Sequence, residues 1–317
     1  MRKILYCCWE KSIHDVRIIE LLNKQNVTEV VELMHNPTKY VESKFDLIIK
    51  TPLWLNTEIL KLDFLPIILI SMGYDLNNSS DRTYQRNIQD NLNQAQMVVV
   101  DNPLFEPIIR EKFKYTKEVF YIPYGCDLET FSGIVDSPRY VLGTNRGFSK
   151  VYQNELILKA VSELKNIEYN KFIMMQHGSL YNQFIAQNQE LLQKIKYEVV
   201  PGGEHKSVIN FLKNITFYIS ASKNDGTSVS MLEAMAARKI CIVPDHKFNA
   251  YWIEDGVNGF LFKNGNKVHL LDKIRKALSL SDLKATQIGN AAWQRVEEEA
   301  NWRSNSVNLL NTIDSIV

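Results

Sequence analysis

No stretch of this 317-residue sequence stays apolar for the ~20 residues that a membrane-crossing helix needs. The N-terminus opens directly on a strand-like run, Lys3 to Cys8, too short and wrongly flanked for a secretion signal. Four cysteines (Cys7, Cys8, Cys126, Cys241) show no C-x-x-C spacing and have no histidine at zinc-finger distance. Each lies in or beside an apolar run, so each reads as a free buried thiol in a reducing cytoplasm. Net charge is only +1, which gives no bulk electrostatic case for nucleic acid, though a local basic patch at a membrane stays open. Internal repeats, low-complexity tracts and long linkers are also missing. What is left, 45% hydrophobic and 23% charged, is an ordinary globular chain long enough for two domains.

Short apolar runs alternate with helical patterns along the chain. In the first part the strand-like runs are Lys3 to Cys8, Val27 to Leu33, Phe45 to Ile49, Leu65 to Ser71, Met97 to Val100 and Val119 to Ile122, with a helix at His14 to Lys24. The second part continues with Arg139 to Gly143, Phe172 to Gln176, Tyr197 to Val200, Ile215 to Ser220 and Ile240 to Val243. Helices are predicted over Asn154 to Leu164 and Lys206 to Lys213, and from Val268 onward. Alternation of this kind predicts parallel sheets covered on both faces.

The most informative stretch is Lys223 to Ala237, K-N-D-G-T-S-V-S-M-L-E-A-M-A-A, which lies between two strands. Strand, loop, helix, strand is half of an open parallel sheet, where ligands sit at the carboxyl ends of strands. Thr227 or Ser228 can cap the helix, and Val229, Leu232 and Ala236 form a stripe for the sheet. Glu233 falls on the edge of that stripe, and a carboxylate there needs a partner. Two partners are open: a capping box with Ser230 (S-x-x-E), which is the more ordinary, or a ligand's hydroxyl pair at the helix N-terminus.

D-G-T-S-V-S-M-L-E-A-M-A resembles the donor-site signature of the family-4 retaining glycosyltransferases, which have the GT-B fold. The family pattern is E-x₇-E followed by A-M-A. Here the first acid is Asp225 and the second Glu233. The resemblance implies that Glu233 holds the ribose hydroxyls of a nucleotide sugar. Asp225 then stands near the transferred sugar as a catalytic residue, with Gly226, Thr227 and Ser228 at the sugar or phosphate. Asp for Glu keeps the charge but shortens the reach.

Other blocks follow in the family's order. Phe120 to Phe131 (F-Y-I-P-Y-G-C-D-L-E-T-F) resembles the segment joining the two domains. The loop Thr144 to Lys150 carries Arg146 and Lys150, which by resemblance neutralise the donor diphosphate, although the match to R-x-x-x-x-K-G is loose and the glycine is missing. The loop Pro201 to His205 resembles a glycine loop that meets the nucleotide through backbone, with Gly203 as its contact. Trp252 to Phe262 resembles a structural block with an Asn-Gly turn, with Tyr251 where many members have Glu. Ser71 to Asp75 (S-M-G-Y-D) resembles a strand-end segment near the reaction centre. Asp75 is a second catalytic candidate there, or else a turn cap, and Met72 replaces a common His. The loop after the first strand, Cys8 to His14, lacks the family's glycines.

The resemblance therefore implies an α/β GT-B fold with two Rossmann-like domains facing each other across a cleft. The expected domains are residues 1–127 (a shortened acceptor-side domain), 128–300 (nucleotide-sugar binding) and 301–317 (a C-terminal helix crossing back to the first domain). The expected activity is metal-independent transfer, with retention, from a nucleotide-diphosphate sugar to a glycan, lipid-linked or other hydroxyl acceptor. No cofactor is implied beyond the donor, with a UDP-sugar ahead of a GDP-sugar. The place of work is the cytoplasm, with peripheral contact at the membrane's cytoplasmic face, and nucleic acid is not a partner. An inactive GT-B-like protein that binds a sugar or nucleotide is the alternative. A nucleotide-sugar epimerase of similar architecture would need cleft carboxylates and a histidine that the sequence does not place.

Overall fold

Runs such as Ile67–Ile70 (I-I-L-I) and Met97–Val100 (M-V-V-V) are buried at every residue, which happens when a parallel sheet is covered on both faces. The computed structural model describes residues 1–35, 44–57, 65–77, 81–134, 139–165 and 167–316. It divides into two compact units, Met1–Tyr124 with Trp302–Val317, and Gly125–Asn301.

The first unit holds β1 (Lys3–Cys8), α1 (Ile13–Leu22), β2 (Val27–Glu32), β3 (Leu47–Thr51), β4 (Ile67–Ile70), α2 (Tyr74–Asn77), α3 (Arg82–Gln94), β5 (Met97–Val100), α4 (Phe105–Phe113) and β6 (Glu118–Tyr121). Its six strands run in the order β2-β1-β3-β4-β5-β6, all parallel. The direction of winding reverses between β1 and β3. Ser12 caps α1 with a full capping box to Asp15, whose other oxygen accepts from the Tyr6 hydroxyl at 2.8 Å.

The second unit holds β7 (Val141–Thr144), α5 (Asn154–Val161), β8 (Lys171–Gln176), α6 (Tyr181–Gln187), α7 (Gln189–Leu192), β9 (Tyr197–Pro201), α8 (His205–Lys213), β10 (Phe217–Ile219), α9 (Val229–Ala236), β11 (Ile240–Pro244), α10 (Lys247–Trp252), β12 (Phe260–Phe262), α11 (Lys267–Leu278) and α12 (Asp282–Glu299). Strand order is β12-β11-β10-β7-β8-β9, again all parallel. Here the winding reverses between β7 and β10, so the loops after those two strands splay apart at a switch point.

At Gly125, where the second unit starts, φ is +52° and an added Cβ would lie 1.8 Å from the Ala300 carbonyl oxygen. The Cys126 N–H donates to that same oxygen at 3.0 Å. Only glycine lets the two passages of chain approach this closely. After Asn301 the chain re-enters the first unit as α13 (Trp302–Asp314), which packs on α1 and buries Leu309 and Ile313 among Ile4, Ile18 and Leu22. The region from Val268 onward is helical as expected, in three helices with short breaks between them.

Three details correct or complete the sequence reading. Helix α9 has no solvated face: Met231 through Ala237 are all buried, because α12 covers the side that β11 does not. Asn258 does more than turn the chain; its carbonyl accepts from the Glu254 N–H at 2.8 Å and its amide donates to Trp252 O at 3.0 Å. Tyr251 donates its hydroxyl to Glu299 at 2.6 Å, and Arg295 lies over its ring while also pairing with Glu299. That triplet ties α10 to α12. All four cysteines are free and buried, and burial pushes the Cys7 and Cys8 thiols up to about 12.

Candidate functional site

The β7 loop delivers Arg146 and the β10 loop delivers Asp225, and at the switch point the two side chains meet. Arg146 Nη2 lies 3.0 and 2.9 Å from the two carboxylate oxygens of Asp225, a two-point ion pair that is mostly shielded from water. Nη1 donates to Ser230 Oγ at 2.6 Å and to Ser228 Oγ at 3.3 Å. The Tyr218 hydroxyl donates to Ser230 Oγ at 2.9 Å, and the guanidinium lies 4.3 Å from the Tyr152 ring centroid. Burial by itself would lower the pKa of Arg146, but Asp225 and the surrounding tyrosines hold it above its ordinary value. The Asn154 amide fixes the backbone beneath it, donating to Arg146 O at 3.3 Å and Gly147 O at 2.8 Å.

Helix α9 begins at this spot. Ser228 is its N-cap, but its side chain makes no capping bond. The Ser230–Glu233 capping box does not form either: Ser230 serves Arg146 and Tyr218, and Glu233 finds another partner. Glu233 Oε1 lies 2.9 Å from His205 Nε2, with the carboxylate only 8% exposed. His205 is the first residue of α8, and the edge of the Phe131 ring meets it. Uncapped N–H groups, a cation and a sequestered carboxylate thus converge at the start of one helix, the arrangement that suits a phosphate beside a diol.

The other sequence candidates are placed less centrally. Lys150 is exposed in the 3-10 turn Lys150–Tyr152 and lines a cavity of about 390 Å³ with Phe148, Asn154, Phe184 and Lys223, outside the hydrogen-bond network around Arg146. Gly203 has φ +121° and open space at its Cβ position, whereas a Cβ on Gly202 would lie 2.0 Å from Gln176 O. Gly202 is therefore the position where the turn demands glycine for lack of room. Gly226 is buried and Thr227 half-buried in the loop before α9.

Asp75 belongs to the first unit. It is buried and accepts from the Leu53 N–H at 3.0 Å, Ser71 Oγ at 2.8 Å, the Met72 N–H at 3.1 Å and the Leu76 N–H at 3.0 Å. Burial raises its pKa against the pull of those donors. With four donors on two oxygens it holds the β3 and β4 loops together.

Sequence reasoning missed Ser230 as a partner of Arg146, and gave Tyr218, Tyr152 and His205 no role. Tyr218 and Ser230 are separated by the β10 loop and Glu233 from His205 by a strand and a helix, so no local pattern ties them together. Among the described residues no cluster of three or more His, Cys, Asp or Glu could hold a metal ion, and no helix is long and apolar enough to cross a membrane.

Residues 130–295, just over half the chain, match the family Glycosyl transferases group 1. A segment of 105 residues is 30% identical to the poly(ribitol-phosphate) alpha-N-acetylglucosaminyltransferase of Staphylococcus aureus (strain COL); it covers 33% of this chain but only 21% of that relative's length. In three dimensions the chain is similar to sucrose-phosphate synthase from Thermosynechococcus elongatus (TM-score 0.84, 12% identity, 100% of this chain and 99% of the other). It is also similar to Anabaena Alr3699/HepE, solved with UDP and glucose (TM-score 0.78, 12% identity, 100% of both chains). These likenesses show the fold expected above, two Rossmann-like units each built on a six-stranded parallel sheet. The family match spans Arg146, Asp225 and Glu233 together, and the chain belongs to the group 1 glycosyl transferases.

Proposed function

We propose that this protein transfers a sugar from a nucleoside-diphosphate sugar to a hydroxyl of a glycan or lipid-linked acceptor, without a metal ion and with retention at the anomeric carbon. The observation that carries the reading is the convergence of Arg146, the uncapped start of α9 and Glu233 at the switch point of the second unit. The anomeric C–O bond to the diphosphate breaks, the acceptor oxygen bonds the same carbon, and its proton passes to a diphosphate oxygen. Negative charge grows on the leaving diphosphate during that step. Arg146 and the N–H groups of α9 sit ready-oriented for it, and pre-set donors of this kind are worth several kcal/mol in a transition state.

Glu233, its position fixed by His205, takes the ribose hydroxyls. The Gly226–Thr227–Ser228 turn meets the sugar or the phosphates. Asp225, locked by Arg146, orients the transferred sugar. Lys150 adds positive charge at the rim, and its contribution is smaller than that of Arg146. The loop Gly202–Gly203 lies just before His205 and takes the base through backbone groups. Asp75 acts by holding two loops of the first unit in place. UDP is the favoured nucleotide, because HepE was solved with UDP and glucose. The Staphylococcus relative's name records an N-acetylglucosaminyl donor and a poly(ribitol-phosphate) acceptor, which makes that pair a reasonable first assay. The protein works in the cytoplasm or peripherally on the inner face of the membrane.

The test is thermal shift with UDP, GDP and ADP followed by transfer from labelled UDP-sugars, with and without EDTA. UDP at a hundredfold excess over its Kd stabilises by about 2.7 kcal/mol. Loss of that shift in Glu233→Ala, with transfer in wild type that survives EDTA, is the expected result. Full UDP binding and transfer in Glu233→Ala would sink the site assignment, and tight binding with no transfer to any acceptor would favour a binding protein.

A further inference from the structure

The first unit has its own switch point, between β1 and β3, and the loops after those strands carry two tryptophans. Trp9 and Trp54 have ring centroids 5.6 Å apart at 58°, and Trp54 stacks on Tyr84 at 4.9 Å and 27°. The three rings form a bent strip, and its ends are open: Trp9 is 43% exposed and Tyr84 39% exposed. Large rings stacked in a row usually complete a core, where their apolar area is removed from water. Here they lie at the carboxyl end of a parallel sheet, where such folds bind ligands.

The middle ring is held with unusual care. Asn91, buried, donates to Leu53 O at 2.7 Å and Leu55 O at 2.9 Å, the carbonyls on either side of Trp54. Lys50, also buried, donates to Asn91 Oδ1 at 3.1 Å, and Asp75 accepts from the Leu53 N–H. Three buried polar side chains thus converge on the backbone that presents one half-exposed indole. A plain connecting loop has no need of this, whereas a ligand platform requires it.

We propose that the Trp9–Trp54–Tyr84 strip is a stacking platform for the pyranose rings of a glycan. A sugar ring offers a flat C–H face to an aromatic plane and keeps its hydroxyls at the edge, in reach of water and polar side chains. The strip's role as acceptor site rests on the transferase reading above, and it names the acceptor's class as a glycan chain.

The test uses the full chain without any nucleotide. Malto-, cello- and chito-tetraose are titrated by calorimetry and tryptophan fluorescence, with uridine and adenosine as base-stacking controls. At least one tetraose is expected to bind. Trp54→Ala should weaken it about tenfold and Trp9→Ala severalfold, while Trp54→Phe stays within about threefold of wild type. The thermal shift with UDP reports that the second unit is intact, and Trp9→Ala, at an exposed position, provides a variant that folds. No binding by any tetraose, binding unmoved in both alanine variants, or nucleosides binding better than tetraoses would each overturn the proposal. Failure of UDP to bind wild type would instead strike the donor reading and leave this titration standing.

Discussion

Arg146 holds Asp225 with one nitrogen and two serines with another, a planar fork that lysine cannot reproduce. Arg146→Lys should therefore keep charge and lose catalysis: kcat/KM for a UDP-sugar is expected to fall by about 10²–10³, the range seen when one pre-set donor is removed from a developing anion. Steady-state kinetics with folding checked by circular dichroism decides it. Arg146→Met should cost about 3 kcal/mol of stability as well, since the mostly shielded carboxylate of Asp225 loses the cation that faces it. At this scale the sequence showed which residue types mattered but not which partners they choose. Arg146, Asp225 and Glu233 stood out in the sequence because they are charged residues just after apolar strands or early in the helix that follows one. His205 and Tyr218 did not, because only folding brings them into range. His14 makes a different prediction. Its ring stacks on Tyr124, and burial, with Arg17 adding repulsion, pushes its pKa down to about 4. An unfolded histidine titrates near 6.5, so between about pH 6.5 and 4 the unfolded chain takes up more protons and stability falls as pH falls. His14→Phe removes that term. Its Tm relative to wild type should rise from pH 7 to pH 4.5, and a constant difference would refute the assignment.

Element by element, the strands were readable because each is an apolar run between polar turns, and the parallel pairing follows from the helices between them. Helix α9 shows where the reading stopped. Its stripe of Val229, Leu232 and Ala236 implied one dry face, but Met231, Ala234 and Met235 are buried too because α12, more than forty residues later, lies over them. A helix this short and apolar carries no information on what will cover its second side. The same limit explains Ser230: S-x-x-E reads locally as a capping box, yet the hydroxyl has better partners in the β7 loop and β10. Ser230→Ala should leave Arg146 and Tyr218 each short of a partner and cost about 1–3 kcal/mol. Chemical denaturation measures it, and a value near zero would mean that water replaces the hydroxyl without loss.

At the scale of the whole molecule the chain is two folding units with separate cores, and two-state unfolding is not expected of such a protein. The residues proposed for the donor site all lie in the unit Gly125–Asn301, while α13 completes the other. Calorimetry of the wild type should resolve two transitions, of which UDP raises one. Truncation after Asn301 removes Leu309 and Ile313 from the first unit's core, and burial of two such side chains is worth about 3–6 kcal/mol. The truncated protein should lose or sharply lower the transition that ignores UDP and keep the one that responds. Gly125→Ala is the complement. With φ at +52° and the Ala300 carbonyl in the way, the new methyl forces apart the passages that join the start and end of the second unit. The UDP-responsive transition should fall in that variant and the other stay put. If truncation and Gly125→Ala moved both transitions equally, the units would unfold as one, and the donor site's stability would depend on the last helix of the chain.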